Sequence, residues 1–369
     1  MHTCARLLLG PHTSSTNLLR TIHKESTISV TIKDIAKLAN VSHTTVSRCL
    51  NDSPMISDKT KEKVLKIAEE LQYEVNSNAR SLSTKKTGII GVIYQQGLED
   101  FGSSAYINAL FLELRHALET LQLDTILVEA INPDTLASNT VRLIKQQKVD
   151  GFLLVHQQIT EEDNRMLQEY DIPAIQIHFK PEYLDITTMD YYLTDNDHGG
   201  YLATKHLLER GAHKILTIAC SPNIGEEYGY RTEGYRRALT EYDISIDDSL
   251  IFEIECEYIA AYDFIHEHIE LIKTCDGIFA QADILAAAFI AALKEHGINV
   301  PQDMKIVGYD DSFYSILVPP FITTIHQPRE EIITKACNRI LDLTRSDSVD
   351  KSIKEQELIK PYLIIRESS

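Results

Sequence analysis

Polar and apolar positions along the chain change their rhythm twice. From Val30 to Leu50 the stretch VTIKDIAKLANVSHTTVSRCL encodes two short amphipathic helices separated by Asn40-Val41-Ser42. Ile32, Ile35, Ala36 and Ala39 share one face of the first, and Thr31 is its N-cap. Asn40 stands where that helix must stop and reverse, a left-handed position that glycine fills best and asparagine next best. Ser42 caps the second helix, which turns Val46 and Leu50 inward and His43, Thr44, Thr45, Ser47 and Arg48 outward. After a turn at Asn51-Asp52-Ser53-Pro54, Ser57 caps a third helix with Val64, Ile67, Ala68 and Leu71 on one face. A short helix that displays donors on its exposed side and leans on its neighbours has the form of a helix-turn-helix reading head. The bland alternative is a helical hairpin with a solvated polar face.

The second rhythm is a weak one. Residues 76–87, NSNARSLSTKKT, offer almost nothing apolar to bury and predict a linker, although Asn76 could cap a short helix that carries Ala79 and Leu82 on one side. An exposed leucine beside a reading head has the character of a minor-groove wedge, against the simpler reading of one incidental leucine in a linker. Residues 1–29 show no periodicity and predict a disordered extension.

From Gly88 the pattern becomes strand, helix, strand, helix. GIIGVI (88–93) is a wholly apolar strand, followed by a helix over 106–121, strand 125–128, a helix ending near Lys148, and strands at 152–155, 174–177 and around Tyr192. The series restarts with helix 198–209, strand 214–220, helix 231–242, a strand near Ile251, helix 258–273, strand 277–280, helix 284–296 and strand 305–309. Buried strands alternating with helices mean parallel sheets covered on both faces, and a stretch this long exceeds one open sheet. The expected fold is therefore a small all-α helix-turn-helix head plus an α/β core of two lobes with parallel sheets and a ligand cleft between them. The expected boundaries are 1–29 extension, 30–75 head, 76–87 hinge and 88–369 core. Within the core, lobe 1 spans about 88–190 and 325–350, and lobe 2 about 191–322 and 355–366.

Charge sharpens this division. The 369 residues carry a formal charge of -18, which taken whole opposes contact with phosphate. Residues 30–87, however, hold ten Lys/Arg against seven Asp/Glu, a local excess of +3, while residues 88–369 carry -23. A mildly basic head on an acidic body can bind DNA locally while the body discourages nonspecific coating. Six cysteines without a CxxC pair predict reduced thiols and no zinc site. His266-Glu267-His268 alternates along a helix, so its side chains diverge and predict a polar surface instead of a metal site. No apolar run is long enough for a membrane span, and Leu7–Leu9 is too short for a signal-peptide core.

These residues carry a resemblance. TIKDIAKLANVSHTTVSRCLN, ISDKTKEKV and NSNARSL ahead of GIIGVI, then TDNDHGGYLATKHLLERGAHKI, YRTEGYRRAL, KIVGYDDS and PPFITTIHQP, resemble the lactose and galactose repressor family of bacterial transcription regulators. The likeness covers residues 30 to about 366. It implies a periplasmic-binding-protein-like core that dimerises and binds a small effector, a sugar or nucleobase, with a hinge helix that folds on palindromic double-stranded operator DNA. Carried onto this chain, it implies base reading by His43 and Thr44 with Arg48 close behind. Arg48 suits a bidentate contact to guanine, worth about 1–3 kcal/mol of discrimination. Thr31, Ser42, Thr45, Ser47, Asn51, Ser57 and Asn76 become the phosphate partners, and Ala79 and Leu82 the minor-groove hinge. In the core, Arg231 and Asp310 match the family's effector-holding arginine and acid. Two departures stand out: Val75 replaces the usual proline before the hinge asparagine, and the usual asparagine-aspartate pair reads Ala282-Asp283, so either the effector differs or another residue such as Gln281 substitutes for the lost amide beside Asp283. With no tryptophan in the chain, ring stacking falls to Tyr94, Phe101 or Tyr106.

The expected function is a DNA-binding repressor controlled by a small effector, a carbohydrate by preference. It works as a homodimer in the bacterial cytoplasm, on the nucleoid when operator-bound, with no cofactor, metal or membrane partner. A chain ending near Arg366 without an added heptad helix favours a dimer over a tetramer. The alternative is a solute-binding protein with a non-DNA-binding N-terminal extension, which shares the bilobed core and leaves residues 31–87 without a use. An enzyme is disfavoured: no nucleophile elbow or phosphate loop occurs, and Asp310-Asp311 are adjacent and point apart on a strand.

Overall fold

The computed structural model describes residues 30–50, 55–71, 73, 86–95, 104–156, 159–180, 188–221, 227–346 and 348–369. The chain divides into two compact units, residues 1–83 and 84–369. The expected extension 1–29, and Asn51, Asn76, Ala79, Leu82 and Phe101, lie outside the described residues.

In the first unit α1 (Ile32–Ala39), α2 (His43–Leu50) and α3 (Asp58–Glu70) close around one small core. The backbone N–H and hydroxyl of Thr31 donate to the Asp34 carboxylate at 2.9 and 2.6 Å, which ties down the first turn of α1. Asn40 adopts φ 54°, ψ 48°, and the next N–H, that of Val41, reaches the Ala36 carbonyl at 3.0 Å. Ser42 caps α2 by accepting from the N–H of Thr45 at 3.0 Å. Ser57 holds the N-cap position of α3, but its hydroxyl pairs with that of Thr60 at 2.9 Å instead of with a helix N–H. Ile35, Ala36, Ala39, Val46, Val64 and Ala68 are buried together with Cys49, whereas Leu50 is only partly buried. Lys63 leaves the solvated face of α3 and donates to the Ala39 carbonyl at 2.8 Å, placing a cation at the C-terminus of α1.

The second unit contains two six-stranded sheets. The elements of the first run β1 (Ile89–Tyr94), α4 (Ser104–Thr120), β2 (Asp124–Glu129), α5 (Asn139–Lys145), β3 (Gly151–Val155), α6 (Glu161–Glu169), β4 (Ala174–Ile177) and β5 (Asp190–Thr194). The chain then crosses to α7 (Asn196–Glu209), β6 (Ile215–Cys220), α8 (Glu227–Glu241), β7 (Ile251–Ile254), α9 (Tyr258–Glu267), α10 (Ile269–Ile272), β8 (Gly277–Ala280), α11 (Asp283–Glu295), β9 (Lys305–Asp310) and β10 (Thr323–His326). It returns for α12 (Arg329–Arg345) and β11 (Gln356–Ile359), and crosses a last time to β12 (Tyr362–Ile364). Strand orders are β11-β5-β4-β3-β1-β2 and β12-β10-β9-β8-β6-β7, every pair parallel except β10 with β12. Each sheet buries apolar residues on both faces, as its uninterrupted hydrophobic strands require.

Sheet membership corrects the expected lobe boundaries. β5 pairs with β4 in the register Gln176↔Tyr191, so lobe 1 runs to Thr194 and not to 190. β11 joins β5 in lobe 1, although residues from 355 onward were assigned to lobe 2. β10 pairs with β9 and stays in lobe 2, past the expected limit at 322. Periodicity reports that a strand is buried, not which sheet accepts its backbone hydrogen bonds, so it cannot locate crossovers. The expected helix 258–273 is likewise broken at His268, whose ring nitrogen Nδ1 bonds the Phe264 carbonyl at 3.0 Å while the backbone leaves helical geometry.

Candidate functional site

On the head, α2 offers the side chains that its pattern predicts. His43, Thr44 and Arg48 are exposed, Thr45 and Ser47 partly so, and Thr31, Ser42 and Ser57 lie on the surface at helix starts. Val46 and Cys49 anchor the opposite face, so the exposed side chains stand on a helix whose rotation is fixed by its core contacts.

In the core, a narrow cavity lies between the lobes, its wall including Tyr106, His178 and Phe179 from lobe 1 and Tyr228, Arg231 and Asp310 from lobe 2. Two glycines bring Arg231 there. A Cβ at Gly200 would collide with the Arg231 carbonyl, and one at Gly234 with the Asp197 carbonyl, so α7 and α8 touch backbone to backbone. Arg231 is thereby 3% exposed, donates through Nε to Asn196 at 2.8 Å and through Nη1 to the Gln281 carbonyl at 2.6 Å, and lies over the Tyr309 ring at 3.7 Å. Its Nη1 stands 4.0 Å from Oδ1 of Asp310.

Asp310 ends β9 with φ at 106°, a backbone region that L side chains rarely adopt. Gln327 donates to its Oδ1 at 2.7 Å, and Nη1 of Arg329 approaches its carbonyl at 3.4 Å. Burial raises its carboxyl to about 6, against the pull of Arg231, the Gln327 hydrogen bond and Arg329. Asp311 turns away: burial opposes its ionisation, but hydrogen bonds from His326 and Arg366 hold it down at about 2.

Three of the expected effector residues do not line this cavity. Asp283 is fully buried and accepts from the Ser312 N–H at 2.7 Å and the Thr324 hydroxyl at 2.6 Å, so it pins the turn after Asp310 from behind. Gln281 gives its amide to the hydroxyls of Thr217 and Thr232, at 3.1 and 2.9 Å, and meets Arg231 only through its backbone carbonyl. Tyr94 packs edge-on against Phe111 with ring centroids 5.4 Å apart. Side-chain direction, which separates wall from support, was not available from position in sequence.

His178 in the wall and Arg329 beside it escaped the sequence reading. His178 adopts φ 68° and packs its ring 4.9 Å from that of Tyr106 and 4.2 Å from that of Phe179. Burial, reinforced by Arg231 and Arg329, pushes its imidazole down to about 3 and keeps it neutral. Arg329 pairs with Glu113 at 3.3 Å and lies 5.2 Å from the centre of the Tyr106 ring. The Tyr106 hydroxyl, His178 Nδ1 and Arg329 Nε are buried with no hydrogen-bond partner among the described residues. Each such atom costs about 1–3 kcal/mol unless something meets it, and two of the three, those of Tyr106 and His178, belong to residues that line the cavity. Among the described residues no group of three or more His, Cys, Asp or Glu could hold a metal ion, and no helix is long and apolar enough to cross a membrane.

Comparison with known proteins agrees with both parts. Residues 31–76 match the family model described as bacterial regulatory proteins, lacI family, and residues 204–369 match a periplasmic binding protein-like domain. The HTH-type transcriptional repressor PurR of Vibrio atlanticus (strain LGP32) is 31% identical over 333 residues, covering 88% of this chain and 95% of that protein. A solved transcriptional regulator CelR-cellobiose complex superposes with a TM-score of 0.66 at 26% identity, covering 92% of this chain and all 100% of that one. The lac repressor dimer bound to operator and the anti-inducer ONPF gives a TM-score of 0.71 over 92% of this chain and 98% of its own, a likeness of fold at 23% identity. The solute-binding alternative is corrected by these matches, because the head itself is the family's regulatory domain and the whole-length relative is a repressor, not an enzyme or carrier. By its head, its core and its full-length relative, the chain belongs to the lacI family of bacterial regulatory proteins: it is a DNA-binding transcriptional repressor with a ligand-binding core.

Proposed function

We propose that this repressor acts in the bacterial cytoplasm as a homodimer on a palindromic operator, and that a carbohydrate bound between its lobes controls it. His43, Thr44 and Arg48 read bases; Thr31, Ser42, Thr45, Ser47 and Ser57, with Asn51 and Asn76, hold phosphates; Ala79 and Leu82 form the minor-groove hinge. The observation that carries the effector reading is Arg231 beside Asp310 in the wall of a cavity where the Tyr106 hydroxyl and His178 Nδ1 have no hydrogen-bond partner among the described residues. A fixed acceptor, fixed donors and flanking aromatic rings suit hydroxyls and the C–H faces of a sugar. The solved relative with cellobiose supports the same class. An exposed apolar surface at Phe313, Ile316, Leu317 and Val318 supports the dimer, since a second copy would cover it.

The test is a thermal-shift screen of the full-length protein against sugars and nucleobases, followed by operator gel shifts with and without the hit. The expected result is a sugar that raises the melting temperature and changes operator affinity. Arg231→Ala should abolish that response and keep operator affinity, and Arg48→Ala should lose selective operator binding by about tenfold or more. A nucleobase hit with silent sugars would overturn the carbohydrate reading, and a full response in Arg231→Ala would move the effector elsewhere.

A further inference from the structure

The lobes are joined at three crossovers, 194–196, 326–329 and 359–362, and one histidine touches two of them. His326 is the last residue of β10 in lobe 2 and is 6% exposed. Its Nδ1 lies 2.9 Å from Oδ2 of Asp311, just past β9 in the same lobe, and its Nε2 lies 3.2 Å from Oε2 of Glu330, in the first turn of α12 in lobe 1. Its ring stacks on that of Tyr362, the first residue of β12, with centroids 4.6 Å apart. The next residue, Gln327, accepts from the Thr194 hydroxyl at 3.0 Å and donates to Asp310 at 2.7 Å. Residues 326 and 327 together therefore touch all three crossovers and the acid of the cavity.

A carboxylate only accepts hydrogen bonds, and a neutral imidazole donates from one nitrogen alone. With a carboxylate oxygen at each nitrogen, His326 satisfies both only as the imidazolium; without one proton it turns a lone pair on one of them. Asp311 is the partner it keeps, because Arg366 holds the other Asp311 oxygen at 2.6 Å, whereas the Glu330 side chain is 63% exposed and can turn into water. The remaining charged groups nearby are engaged elsewhere. Arg329 gives Nη2 to Glu113 and Nη1 to the Asp310 carbonyl, and Asp283 of α11 accepts from Ser312 and Thr324. Burial opposes the charge on His326, but the hydrogen bonds and charges of Asp311 and Glu330 outweigh it and raise the imidazole above its ordinary 6.5.

We propose that His326 is a proton-operated latch on the hinge: charged, it ties β10 of lobe 2 to α12 of lobe 1 through Glu330, and on losing its proton to solvent it releases Glu330 and loosens the second and third crossovers. This is an input beside the effector and does not depend on the effector's class. The folded imidazole holds its proton more tightly than the unfolded one, so the contribution of the latch is fully present below pH 6.5 and is lost as pH rises through the folded value.

Two measurements on the full-length protein test this. In NMR of histidine-labelled protein, the His326 signal, identified by its loss in His326→Gln, should titrate above 6.5, and Glu330→Gln should lower its midpoint. Amide hydrogen exchange across 326–330 and 359–363, corrected for its intrinsic pH dependence, should lose about tenfold or more of its protection between pH 6 and pH 9 in the wild type and stay flat in Glu330→Gln. Glu330 is exposed, so its variant and the exchange measurement keep the test decisive even where His326→Gln fails to fold. A midpoint at or below 6.5, a midpoint that Glu330→Gln leaves in place, or crossover protection with the same pH dependence in wild type and Glu330→Gln would each overturn the latch.

Discussion

Asp310 joins a left-handed backbone, a buried carboxyl raised to about 6 and an arginine 4.0 Å away. A carboxyl whose folded value lies above its unfolded 3.8 favours the protonated folded state, so its contribution is fully present below pH 3.8 and is lost as pH rises through about 6. The wild-type core should therefore lose stability relative to Asp310→Asn across that window, by at most about 3 kcal/mol at 1.36 kcal/mol per unit, and the difference should be flat above it. Chemical denaturation of both proteins from pH 4 to 7 measures this; a difference that grows in the opposite direction would refute the claim that burial outweighs the pull of Arg231, Gln327 and Arg329 on this carboxyl. Arg231 and Asp310 were legible in YRTEGYRRAL and KIVGYDDS through the family pattern. Asp283 and Gln281 were equally legible as positions but not as roles, because one residue of rotation decides whether a side chain faces the cavity or the Thr324 and Thr217 hydroxyls behind it.

Among the elements, the α7–α8 pair sets the geometry of the site. Its motifs were visible in sequence, yet the function of their glycines emerges only when the helices meet backbone to backbone at Gly200 and Gly234. Gly200→Ala should force the helices apart, destabilise the core by about 1–3 kcal/mol and weaken effector binding by displacing Arg231. Gly229 lies in α8 with nothing within 4 Å of an added Cβ, so Gly229→Ala should instead stabilise by about 0.5–1 kcal/mol through helix propensity. Urea midpoints of the two variants, read beside effector titrations, separate crowding from propensity; equal effects would remove the close-approach argument. The head helices show the complementary case. Their caps and faces were read nearly residue for residue, because Thr31, Asn40 and Ser42 act through contacts within a turn of themselves.

For the whole molecule, the apolar surface around Val318 is where a second copy is proposed to dock. Val318→Glu, at a position 66% exposed in the single chain, should yield monomers in sedimentation velocity. The same variant should lose operator affinity by about 100-fold or more at equal protein concentration, because the two half-sites would no longer be held together, and should still bind effector. A variant that sediments as a dimer would place the interface on another face. The sequence by itself determined whatever depends on local chemistry: helix caps, the apolar stripes of the head, the alternation of buried strands with helices, and the segregation of positive charge to residues 30–87. Tertiary structure decided which sheet receives β5, β10 and β11, and that Asp283 supports the turn after Asp310 while His178 lines the cavity. Those outcomes depend on backbone hydrogen bonds and side-chain directions between residues far apart in sequence, and hydrophobic periodicity carries no record of which distant partner a buried residue meets.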